Sequence, residues 1–246
     1  MRNHLSLRSG NPALNKNTFK GLRAEGDTMT IDGTVNKTSI ALFILLFSAY
    51  YTYSTANTSF VFIGFILGIV LAIATIIKKQ WAPITVPLYA ICEGLALGGI
   101  SAIYESMYAG IVQQAIFLTI GIFAALLFAY KTKIIQATEN FKLGVFAATG
   151  GIALVYFISF IMSFFGSSIS ILSIQNASLM SIGFSLFVVI IASLNLVLDF
   201  DFIEEASESN VPKYMEWYAT FGLLITLIWL YLEILRLLAK LQSRRN

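Results

Sequence analysis

The chain has 246 residues, of which 57% are hydrophobic and only 12% are charged, with a net charge of +3. A soluble domain carries roughly 25% charged residues, and one core of this size could not hide so much apolar surface, so the chain is expected to be solvated by lipid. A single cysteine, Cys92, excludes an intrachain disulfide and a thiolate metal cluster, and a single histidine, His4, removes most mechanisms that need an imidazole base or ligand.

In chain order, residues 1–33 come first. They are polar and rich in Asn, Ser and Gly, without the early apolar stretch of a cleaved signal peptide, and are expected to form an N-terminal cytoplasmic tail. A helix needs about 20 mostly apolar residues to cross a hydrocarbon core ~30 Å thick. Seven runs meet that need: Lys37–Tyr53, Phe60–Ile77, Ile84–Tyr104, Ile111–Tyr130, Leu143–Phe165, Leu179–Leu198 and Tyr218–Leu238. The fold class expected is therefore all-α, a polytopic bundle of seven transmembrane helices over residues 34–240, with a short basic tail at 241–246. Gly64 and Gly68 in the second run, and Gly94 and Gly98 in the third, have the GxxxG spacing that lets helix backbones approach closely in lipid. Gly150–Gly151 in the fifth run is read the same way, and Pro87 is expected to kink or start the third helix.

The basic residues give an orientation. Arg2, Arg8, Lys16, Lys20, Arg23 and Lys37 precede or open the first run, Lys78 and Lys79 follow the second, Lys131, Lys133 and Lys142 lie between the fourth and fifth, and Lys213 precedes the seventh. The loops after the first, third and fifth runs carry none, so the positive-inside rule puts the N-terminus in the cytoplasm. Seven spans then place the C-terminus outside, although it bears Arg236, Lys240, Arg244 and Arg245. A second reading, in which the last segment is re-entrant, stays open.

Acids inside the spans are the main functional signal. Glu93 lies at the midpoint of the third run, where a carboxylate costs about 2.5–3.5 kcal/mol and usually marks function. The sixth run ends in Asn195-Leu-Val-Leu-Asp199-Phe-Asp201-Phe-Ile-Glu204-Glu205. On a helix Asn195 and Asp199 share one face, and Asp201 shares another with Glu204 and Glu205. Oxygen groups of this kind suit calcium or another hard cation, which makes Asp199 and Asp201 candidate calcium ligands; a solvated acidic loop after a helix is the plainer alternative. Glu216 opens the seventh run and can complement the helix N-terminus. Glu233 has Arg236 one turn on, as an intrahelical ion pair or as a functional acid. Glu105 is expected as an exposed loop acid. Glu93, Asp199, Asp201, Glu216 and Glu233 together are the candidate ion pathway or pH sensor.

Four strings carry a resemblance over nearly the whole chain: SGNPALN in the tail, CEGLALGGIS around Glu93, LNLVLDFDFIE in the sixth run and MEWYATFGLLITLIWLYLEILRLLAKL in the seventh. They resemble the Bax inhibitor (transmembrane Bax-inhibitor-motif) family, in its bacterial YccA-like branch. The resemblance implies a seven-helix fold with a central last helix, and a calcium leak whose opening follows pH through paired acids on helices six and seven. The helix-six acid falls on Asp199, with Asp201 adjacent, and the intramembrane glutamate on Glu93. The helix-seven position falls either on Glu233 or near Thr226, which cannot ionise. An intramembrane arginine that relatives are thought to pair with the helix-six acid has no counterpart in helices two to six.

Three function classes follow. The first is a pH-sensitive calcium or cation leak, or a proton-coupled carrier, in the bacterial inner membrane. The second is a non-transporting regulator that binds other membrane proteins in stress, cell death or membrane proteolysis. The third, an intramembrane enzyme, lacks HExxH, GxSxG and a Gly-x-Gly-Asp partner, so no catalytic residues and no cofactor beyond bound calcium are expected. The partners expected are lipid, cations and other membrane proteins; nucleic acid is not, because the basic residues trace one face of the membrane.

Overall fold

The computed structural model describes residues 26–245. The string SGNPALN, His4 and the first five basic residues lie outside them. Among the described residues, seven helices are long and apolar enough to cross a membrane: α1 (Ile31–Thr55), α2 (Ser59–Ile77), α3 (Ala82–Met107), α4 (Ile111–Lys131), α5 (Glu139–Ser163), α6 (Leu179–Glu208) and α7 (Met215–Arg245). Two 3₁₀ turns, Lys79–Trp81 and Ser170–Leu172, sit in the connections. In α6 and α7, 56% of the most apolar stretch is buried, and in α3 50%, against 11 to 28% in the other four.

The starts of α1 and α5 follow local capping rather than hydropathy. The Thr30 hydroxyl accepts from the Gly33 amide at 3.0 Å and starts α1 six residues before its apolar run, inside the segment read as tail. Thr138 caps α5 and Ser178 caps α6 in the same way. The acidic string after Leu198 is not a loop, because α6 continues through it to Glu208. Phe202, Ile203 and Ala206 are buried there, so the helix keeps an apolar face while Glu204 and Glu208 point outward. Pro83, not Pro87, stands in the first turn of α3, and α3 runs unbroken past Pro87. Glu105 is half-buried in the last turn of α3 rather than in a loop. The last segment is one continuous helix, with no re-entrant break.

The chain divides into two compact units. One contains residues 26–109 and 201–225. Here α3 packs against both α1 and α2 through the predicted glycines. A side chain at Gly94 would strike the Leu45 carbonyl and the Ser48 hydroxyl, one at Gly98 the Ala49 carbonyl, and one at Gly64 the Cys92 carbonyl. Only hydrogen at these positions permits such approach. Thr75 donates to Thr85 at 2.7 Å, and Tyr89 meets Phe221 edge-on with ring centroids 5.0 Å apart. Thr28 and Pro212 form an isolated antiparallel bridge, with Met29 N donating to Val211 O and Lys213 N to Asp27 O.

The second unit contains residues 110–200 and 226–245. Ile152, Val188 and Ile191 form its buried cluster, packed by Phe184, Tyr156 and Trp229. Phe200 is wedged between Phe123 and Tyr130, at centroid distances of 5.7 and 5.8 Å. Gly150 and Gly151, expected at a tight crossing, are exposed, and side chains there would meet nothing within 4 Å. That pair lies on the outward face of α5.

Candidate functional site: acids within the spans

Glu93 is the twelfth residue of α3, about 17 Å along it at ~1.5 Å per residue. It is half-buried, and its carboxylate fills the space a side chain on Gly68 of α2 would take. Tyr89 lies one turn back along α3 and Cys92 directly before Glu93. Among the described residues Glu93 makes no hydrogen bond or ion pair. The GxxxG glycine of α2 thus does two jobs in two turns: Gly64 admits the α3 backbone and Gly68 admits the acid.

Asp199 is fully buried in α6, between Leu196, Val197, Leu198 and Phe200. Asn195 is buried one turn earlier on the same face. Its amide nitrogen donates to the Thr149 hydroxyl at 2.8 Å and to the Ile191 carbonyl at 2.9 Å. That fixes the amide and leaves its Oδ1 without a hydrogen-bond partner among the described residues. Asp201 is half-buried, and in a continuous helix it points about 200° away from Asp199. Among the described residues no three His, Cys, Asp or Glu side chains converge as a metal-binding group.

Glu216 is fully buried at the start of α7, but it serves α1 rather than its own helix. Its Oε1 accepts from the Thr30 amide and the Thr30 hydroxyl, both at 3.0 Å, and its Oε2 pairs with Lys37. Its carboxylate fills the space beside Gly33 that a side chain there would occupy. A negative charge at the N-terminus of α1 is stabilised by the helix dipole and by otherwise orphaned amides. Nearby, outside the spans, Asp27 hydrogen-bonds Lys213 at 3.0 Å and holds its ammonium above the ordinary lysine value, while burial raises Tyr214.

Glu233 is buried in α7 and forms the predicted pair with Arg236, whose Nη1 reaches both carboxylate oxygens at 2.7 and 2.8 Å. The third member carries no signal in the sequence. Tyr156 of α5 donates its hydroxyl to Glu233 at 2.8 Å and accepts from Arg236 at 2.6 Å, with the guanidinium 5.2 Å from its ring centre. Asp199 and Glu233 belong to one unit; Glu93, Asp201 and Glu216 belong to the other. Also missed was Lys240, fully buried near the end of α7. Its one signal is its place one turn after Arg236, on the same helical face as Glu233.

Comparison with curated proteins gives no match. The family model described as Bax inhibitor 1 like matches residues 11–243, which take in α1 to α6 and all but the last two residues of α7. The chain is a seven-helix membrane protein that belongs to the Bax inhibitor 1 like family.

Proposed function

We propose that this protein is a pH-sensitive leak for calcium in the bacterial inner membrane, with its N-terminus in the cytoplasm, and that Asp199 is its principal cation ligand. The observation that supports this reading is the full burial of Asp199 within a run of apolar residues of a membrane helix. Placing a charge there costs about 2.5–3.5 kcal/mol, and a protein that only presents a surface to partners has little use for it. The Asn195 Oδ1 one turn away adds a second hard oxygen on the same face. Calcium takes about 6–8 oxygens, so Asp199 and the Asn195 Oδ1 would share its shell with further oxygens, water among them. That suits an ion that must leave as readily as it enters.

Protons and calcium compete for such a site, because protonating Asp199 removes the charge that holds the cation. Acidification should therefore weaken calcium binding, and Asp199→Asn should weaken it and remove its pH response. Asp201 points away from Asp199, so Asp201→Asn should bind nearly as the wild type does. The measurement is calcium affinity of the purified protein by calorimetry at pH values on either side of neutrality, wild type beside both variants. Equal affinity in all three proteins, or binding that strengthens in acid, contradicts the assignment.

A further inference from the structure

Lys240 lies five residues before the end of α7, and none of it is exposed. Its ammonium donates to the Ile171 carbonyl at 2.7 Å, the Ser185 hydroxyl at 2.8 Å and the Ser181 carbonyl at 3.3 Å. An ammonium has three protons and no acceptor, so these three oxygens use all its donors. All three are neutral. The Ser181 hydroxyl, itself buried, donates to the Ile171 carbonyl at 2.9 Å and holds that oxygen in place. The oxygens come from the connection before α6 and from its first two turns. Arg236, one turn before Lys240 on α7, is paired with Glu233.

A lysine so near a helix end could extend its stem and put its charge in water. Lys240 turns inward instead, onto oxygens whose number and convergence match an ammonium. The planar five-donor fork of an arginine would not fit three oxygens converging on one point.

We infer that the Ile171 carbonyl, the Ser181 carbonyl and the Ser185 hydroxyl form a binding site for a primary ammonium ion, and that the native protein fills it with its own Lys240 as a tethered ligand. The site joins the end of α7 to the start of α6 and to the connection before it. It stands independently of the calcium leak, since it contains none of the acids assigned to that function.

Lys240→Ala removes the stem from Cγ to the ammonium and leaves a cavity the shape of n-propylammonium. In the full-length detergent-solubilised protein this variant should unfold about 5 °C or more below wild type. Added n-propylammonium should restore the midpoint saturably, while tetramethylammonium, which has no N–H, and 1-propanol, which has no charge, should not. Adding Ser185→Ala to Lys240→Ala removes one of three acceptors and should weaken amine binding about tenfold. A second measurement needs no destabilised variant. In the wild type, an amine-acylating reagent should modify exposed Lys213 and spare Lys240, and Ser185→Ala should raise labelling at Lys240. Wild-type stability in Lys240→Ala, equal rescue by all three additives, or equal labelling of Lys240 and Lys213 would each overturn the inference.

Discussion

The hydrogen at Gly68 leaves room for the Glu93 carboxylate, and this contact separates two kinds of glycine on one helix face. A methyl at Gly68 meets the flexible end of a side chain, whereas a methyl at Gly64 meets the backbone carbonyl of Cys92. We therefore expect Gly64→Ala to destabilise the protein by about 1–3 kcal/mol, as overpacking against a fixed neighbour does, and Gly68→Ala by less. Function should rank them the other way, because Gly68→Ala moves the acid. Glu93→Gln keeps the shape of the side chain without its ionisation, and should fold normally yet alter cation flux. Unfolding midpoints and flux measured on the three variants together check the ranking. Unchanged flux in both Glu93→Gln and Gly68→Ala would reduce Glu93 to a structural role.

At the scale of the helices, the spans were readable because lipid demands long apolar runs, and each of the seven apolar cores lies in its own helix. Their ends were less so. Ile31 to Asn36 carry no apolar run, and α1 forms there because Thr30 accepts from the Gly33 amide while Glu216, 186 positions from Thr30, accepts from the amide of that cap. The extension of α6 was readable in principle from Phe202, Ile203 and Ala206, whose spacing was masked by the four acids around them. Tyr156 was invisible because nothing in α5 marks which of its aromatic residues meets α7. Its triad with Glu233 and Arg236 makes a prediction of its own. Arg236→Ala leaves Glu233 buried without its counter-charge and should cost about 3–5 kcal/mol, whereas Tyr156→Phe removes one hydrogen bond at each partner and should cost about 1–3 kcal/mol. Denaturation of the two variants in the same detergent decides it, and equal small losses would mean that the pair is effectively exposed.

For the whole molecule, seven spans among the described residues would put the two ends of those residues on opposite sides of the membrane. The conflict raised by four basic residues near the C-terminus eases once their surroundings are known: Arg236 is paired with Glu233, Lys240 is buried, and only Arg244 and Arg245 are exposed. Reporter fusions at the two ends should therefore respond oppositely, with the cytoplasmic signal at the N-terminus; cytoplasmic signals from both would refute the orientation. The central claim, that buried acids serve ion movement rather than partner binding, is tested most directly by calcium flux into proteoliposomes containing only this protein, followed from mildly acidic to mildly alkaline pH. The account predicts a flux absent from empty vesicles, dependent on pH, and losing that dependence in Asp199→Asn. Vesicles no leakier to calcium than protein-free ones at every pH would contradict it and favour a protein that acts by binding other membrane proteins.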